Sequence, residues 1–322
     1  VVAGGLLTVP LVLVIVYTAP VAVLLGLVPL MIVLPVLTWL DRVEPEPRPS
    51  RVHAVLWGGT VAALVSGIVN TIVAVTTSET VAAVVSAPLV EEATKGLGVY
   101  WAVRRREVDS VMDGIVYAGW VALGFAVVEN FDFFALAAMT GVLVEVFVAR
   151  ALFTPFAHPL FTVWIGLAIG WAVSRGRPLF PVAVAGWLVA VGLHAAWNGS
   201  LVLTEAIDEP LVVGVAALGF VTLFAASGVM VVVVRRREQR RYLQLVPFLA
   251  QRYGIDPRQA STFADWRGML AARRRLPRAE RRRFDQMHQA LARLAALHRR
   301  PGPLDPADEA ILVDQLRRAQ AA

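Results

Sequence analysis

Two adjacent carboxylates, Glu91 and Glu92, and the only lysine of the chain, Lys95, sit inside an otherwise apolar run from residue 80 to 103. A bilayer crossing takes ~20 residues, so this run is long enough to span one. Ionisable groups at such depth are costly unless paired, protonated or wetted, and they are read first as functional. Lys95 follows Glu91 by four residues and Glu92 by three, the helical spacings at which side chains meet. The pair then divides into one carboxylate held by Lys95 and one left to work. The four-residue spacing marginally favours Glu91 for the hold and Glu92 as the freer base, with the assignment left open.

Polar groups recur in the next three apolar runs. Glu129 and Asn130 close the stretch Gly124-Phe125-Ala126-Val127-Val128-Glu129-Asn130. His158 precedes Thr162 by four residues and His194 precedes Asn198 by four, so each pair shares a helix face. At 1.5 Å rise per residue, Glu91, Glu92, Glu129, His158 and His194 all fall roughly 12 to 18 Å below the outer ends of their helices. A packed bundle has no need of so many costly groups in one layer, and a polar site enclosed by four helices is the simplest account. Asp113 and Asp132 fall nearer helix ends and read as structural.

A carboxylate beside imidazoles suits activation of a water for attack on a carbonyl. Glu91 or Glu92 would be the general base and His158 would hold the water. His194 with Asn198 would donate to the developing oxyanion, and Lys95, Glu129 and Asn130 would support. Alternatively, a Zn2+ ion on His158, His194 and a glutamate, with Glu129 the candidate, would carry the water in its open position. The spacing leaves both open, and the His-Glu-x-x-His signature of zinc proteases is absent. A different use of the same groups is a proton relay in a transporter. Against it, the last four apolar runs do not repeat the first four in inverted order.

The elements that must position these residues are membrane helices. The 322-residue chain is 57% apolar and has no cysteine, which excludes disulfides and thiolate metal sites. The expected fold class is all-α, a polytopic transmembrane bundle of about eight spans at 3–19, 21–40, 52–76, 80–103, 111–137, 149–174, 179–203 and 211–234. Residues 1–20 lack a basic leader region and read as a membrane helix rather than a signal peptide. Arginines follow alternate spans at 42, 48 and 51, at 104–106, at 175 and 177, and at 235–237. The positive-inside rule then puts both termini in the cytoplasm of a plasma-membrane protein, with Arg150 as the one exception.

Four units are expected: an N-terminal hairpin (1–40), a cytoplasmic Pro/Glu loop (41–51), a catalytic bundle (52–237) and a basic cytoplasmic tail (238–322). Glu44-Pro45-Glu46-Pro47 by itself reads as a rigid linker. Residues 235–322 carry 20 arginines against nine acidic residues. The tail has helical patterns, with apolar Phe284, Met287, Leu291, Leu294 and Leu297 recurring among them. It reads either as an amphipathic surface for anionic lipid or a partner, or as a small helical bundle with solvated arginines. Nucleic acid is not expected as a partner.

At these motifs the chain resembles the PrsW family of intramembrane proteases, relatives of the CAAX prenyl proteases. The matching residues are Glu91-Glu92-Ala93-Thr94-Lys95, Asp113-Gly114-Ile115-Val116-Tyr117 followed by 124–130, His158-Pro159-Leu160-Phe161-Thr162, and His194-Ala195-Ala196-Trp197-Asn198. Glu44-Pro45-Glu46-Pro47 is also similar to the family. The resemblance covers about residues 40–205. It implies peptide-bond hydrolysis within or beside the membrane on single-span substrates, with anti-sigma factors the family's associated class. It also implies either a metal or a glutamate-activated water, and carries catalytic roles onto Glu91, Glu92, His158 and His194. Thr154 stands where CAAX proteases have a phenylalanine four residues before the histidine, so prenylated substrates are not implied.

Overall fold

A computed structural model of the chain describes residues 20–207, 209–299 and 306–321. Among these residues every regular element is helical. The expected first span, 3–19, lies outside the described residues. The helices are α1 (Pro20–Leu40), α2 (Arg48–Thr76) and α3 (79–104), then α4 (Val111–Thr140), α5 (143–153) and α6 (Ala157–Ser174). They continue with α7 (Leu179–Ile207), α8 (Pro210–Tyr253), α9 (Pro257–Ala264), α10 (Trp266–Arg275), α11 (Arg278–Leu297) and α12 (Pro306–Ala321). Among the described residues, six stretches are long and apolar enough to cross a membrane: α1, α2, α4, α5 with α6, and most of α7 and of α8. Helix α3 has spanning length, but Glu91, Glu92 and Lys95 remove it from that apolar class.

Helix α4 is the axis of the bundle, buried along most of its length and packed on α1, α2, α3 and α6. Glycines let backbones touch here. A Cβ at Gly124 would lie 1.9 Å from the Val55 carbonyl oxygen of α2, and one at Gly114 would lie 2.1 Å from the Gly166 oxygen of α6. Close backbone approach of this kind is how helices associate where lipid removes the hydrophobic drive. Ser110 and Asp113 form a capping box at the start of α4, giving Asp113 the structural part expected of it.

Among the described residues, three π-helical turns interrupt the regular helices, at Trp57–Ala62, Ala82–Ser86 and Val148–Phe153. The last leads into a break at residues 154–156, where Pro155 halts the backbone before α6 begins. The single span expected at 149–174 is therefore two pieces, and the break places His158 in the first turn of α6.

Helix α8 runs for 44 residues without interruption, about 66 Å at 1.5 Å per residue, so it outruns any bilayer. The expected boundary at residue 237 falls inside it. Its end packs with α9 to α12 around Tyr242, Val246, Leu249, Phe263, Leu291 and Leu294. The tail's apolar faces turn onto one another, as the bundle alternative expected. Asp256 and Asp265 cap α9 and α10 by accepting backbone N–H groups.

The Pro/Glu loop does not behave as a linker. Asp41, Val43 and Glu46 are buried. Tyr117 of α4 donates to Glu46 at 3.0 Å, Arg51 pairs with Asp41 at 3.3 Å, and Gln289 of α11 donates to the Pro45 carbonyl at 2.9 Å. Burial pushes the Asp41 carboxyl up to about 7, and burial with neighbouring carboxylates raises Glu44 and Glu46 well above the usual range. The loop joins the membrane bundle to the C-terminal bundle.

Candidate active site

Lys95 has no solvent exposure, and its ammonium organises the centre. It donates to Glu92 Oε1 at 2.9 Å and to Glu91 Oε2 at 3.3 Å, and lies 3.1 Å from His158 Nδ1. The ammonium also sits 3.9 Å above the Phe125 ring. A buried cation needs this many partners, because desolvation otherwise outweighs any single ion pair.

The partners extend the network from α3 to five further helices. Glu92 accepts from Thr162 of α6 at 2.8 Å and from His194 Nδ1 of α7 at 3.2 Å. Asn70 of α2 donates to Glu91 Oε1 at 3.3 Å, and Ser86 in turn donates to Asn70 at 2.8 Å. His158 Nε2 lies 2.7 Å from Glu129 Oε2 of α4. Arg150 of α5 binds both Glu129 and Asn130, the latter at 2.9 Å. Glu91, Glu92, Lys95, Glu129, His158 and His194, expected from four separate stretches of sequence, thus form one connected cluster.

Partner identity fixes the ring protons. The Lys95 ammonium can only donate, so His158 Nδ1 accepts and Nε2–H is directed at Glu129. Glu92 accepts from His194 Nδ1–H, which leaves His194 Nε2 with a lone pair. In these tautomers neither ring keeps a spare N–H for the oxyanion role expected of His194. Asn198 is also engaged: it donates at 2.8 Å to the Ala83 carbonyl. Ala83 lies in the π turn five residues before Pro88, whose missing N–H would otherwise have served that carbonyl. The amide of Asn198 therefore ties α7 to the entry of α3.

A cavity of about 700 Å3 opens beside the cluster, with Glu91, Glu129, Arg150, His158, His194 and Asn198 on its wall. Glu92 and Lys95 are not on it. This reverses the order read from spacing: Glu92 is fully enclosed with both oxygens committed, while Glu91 is the carboxylate facing the cavity. The i,i+4 rule says which pairs can meet. It does not say which side of the helix meets water. The cavity extends to Val75, Glu79, Thr80, Leu201 and Val202, away from the C-terminal bundle.

Glu91, His158 and His194 each offer a ligand atom, all within 4.8 Å of one another. Two imidazoles and a carboxylate are the donor types of a catalytic divalent centre, and the free Nε2 of His194 suits it. The residues fit such an ion, with Glu91 in the place expected for Glu129. Glu129 is instead held between His158 and Arg150. His158 would release Lys95 or Glu129 to ligate.

Sequence reasoning missed Asn70 and the importance of Arg150. Both carried a signal: Asn70 is a polar residue deep in an apolar run, and Arg150 violated an otherwise regular charge pattern.

Comparison with known proteins agrees with the motif reading. A stretch of the protease PrsW of Geobacillus kaustophilus (strain HTA426) is 35% identical over 124 residues, 38% of this chain and 53% of that relative. The chain therefore matches about half the length of that protein. No solved structure matches the chain. The model of the PrsW family intramembrane metalloproteases matches residues 46–245, more than half of the chain. The chain belongs to the PrsW family.

Proposed function

We propose that the protein is an intramembrane endopeptidase that hydrolyses peptide bonds of single-span membrane proteins in the 700 Å3 cavity. The observation that carries this reading is the cavity-facing Glu91 beside His158 and His194. Glu91 takes a proton from a water as the water oxygen bonds to the scissile carbonyl carbon. The carbon–nitrogen bond then breaks, and the proton passes from Glu91 to the departing amine. His194 Nε2 accepts a hydrogen bond from the water and orients it. Lys95 pairs with Glu91 in a dry setting, and Glu92 holds Lys95 and His194 in place. Glu129, fixed by Arg150, which Asn130 holds in turn, orients His158. A divalent ion on Glu91, His158 and His194, zinc being the natural candidate, would supply Lewis-acid polarisation when bound.

Arg106, just after α3, and Arg235, within α8, lie on the face that carries the C-terminal bundle. Arg106 approaches Asp308 at 4.0 Å, and Arg235 donates to the Trp39 carbonyl at 3.1 Å. With the positive-inside rule, this supports a plasma-membrane orientation with a cytoplasmic C-terminal bundle. The cavity then faces the extracytoplasmic half, where a first cut in an anti-sigma-factor-type substrate would fall.

The test is cleavage of a single-span reporter in proteoliposomes. Glu91→Gln, His158→Ala and His194→Ala are expected to abolish it while insertion persists. Cleavage undiminished in Glu91→Gln overturns the assignment, and activity before and after chelation decides the role of the ion.

A further inference from the structure

The buried Pro/Glu loop contains carboxylates that the proteolytic site does not use. Glu44 of the loop meets Asp109 and Asp113 at the start of α4, one oxygen from each lying within 4.8 Å of the others. Asp113 commits Oδ2 to the backbone N–H groups of Asp109 and Ser110, at 3.1 and 2.9 Å. Arg299 places one nitrogen 3.4 Å from Glu44 and directs another to Glu238 at 2.7 Å.

Beside these carboxylates is a small cavity of about 10 Å3, the size of one water or ion. Asp41, Glu44, Asp113, Glu238, Tyr242 and Arg299 are on its wall. Tyr242 is the independent sign of a ligand. It is 1% exposed, and its hydroxyl has no hydrogen-bond partner among the described residues. A buried hydroxyl is rarely left unsatisfied, and a small polar occupant of the cavity would satisfy it.

We propose that Glu44, Asp109 and Asp113 bind a hard divalent cation, Mg2+ or Ca2+, with the Tyr242 hydroxyl turned to the ion or to one of its waters. An all-oxygen donor set selects such ions over zinc. The ion would lie where the Pro/Glu loop, the N-terminus of α4 and the cytoplasmic extension of α8 converge. It would latch the C-terminal bundle to the membrane bundle from which the catalytic helices are hung. The site is separate from the Glu91, His158 and His194 cluster and does not depend on its role.

The experiment uses Mn2+ as a paramagnetic probe on chelator-treated full-length protein in detergent. A His158→Ala/His194→Ala background removes the other candidate metal site. One saturable Mn2+ equivalent, displaced by Mg2+ or Ca2+, is expected. Glu44→Gln should weaken binding about tenfold or more, and Tyr242→Phe a few-fold, about 3-fold, with helicity by circular dichroism unchanged. Asp113→Asn also disturbs the α4 cap, so Glu44→Gln, which leaves that cap intact, is decisive. Absence of saturable binding in the background protein, or binding unaffected by Glu44→Gln, overturns the proposal.

Discussion

Replacing Lys95 by methionine keeps the length of the side chain and removes its charge. The ammonium meets Glu92 at 2.9 Å, Glu91 at 3.3 Å and His158 at 3.1 Å, and neither it nor Glu92 is exposed. Without it, Glu92 keeps Thr162 and His194 as donors, and Glu91 keeps Asn70. Two carboxylates then share a dry site with no cation between them. Removing one partner of a buried ion pair typically costs 3–5 kcal/mol, about the lower end being expected here because three hydrogen-bond donors remain. In the double variant Glu92→Gln/Lys95→Met, one of the stranded charges is gone as well. About 2 kcal/mol of the loss should return, read as a coupling energy in a double-mutant cycle. The assay is detergent-driven unfolding of the purified protein at neutral pH. Equal stability of Lys95→Met and the parent would refute the reasoning, as would a double variant no more stable than the single one.

Three other outcomes follow from the geometry. Gly124→Ala places a Cβ 1.9 Å from the Val55 oxygen and 3.0 Å from the Gly59 nitrogen. Both neighbours are backbone, so α2 and α4 must separate at a cost of about 1–3 kcal/mol, and an unchanged melting temperature would contradict the contact. Arg150→Gln removes the cation that fixes Glu129, and should reduce turnover of the reporter more than its apparent affinity, with Arg150→Lys restoring part of the rate. In the C-terminal bundle, His288 is buried against Phe263, Tyr242 and Trp266, and burial lowers its imidazole to about 4 from 6.5. The unfolded chain then binds more protons than the folded one between those values, so stability falls as pH drops from 6.5 towards 4, by about 3 kcal/mol in full. His288→Phe should lose this contribution, and parallel pH–stability curves for the two proteins would sink it.

The sequence alone was enough for the all-helical membrane class and for the groups that had to converge. An ionisable residue in an apolar run is conspicuous wherever the helix turns, because its desolvation cost depends only on the run around it. The four-residue spacings of His158 with Thr162 and His194 with Asn198 were equally legible, since a helix face is a local property. Tertiary structure decided the rest. It turned Glu91 rather than Glu92 to the cavity, because the packing of α3 against α6 and α7 encloses one side of that helix. It brought Arg150 to Glu129 through a π turn and a proline break that no periodicity marks. It also made the Pro/Glu loop a buried junction, since its partners Tyr117, Gln289 and Arg299 lie up to 255 positions away along the chain. Contacts at such separation are set by how whole helices dock, and local spacing carries no record of them.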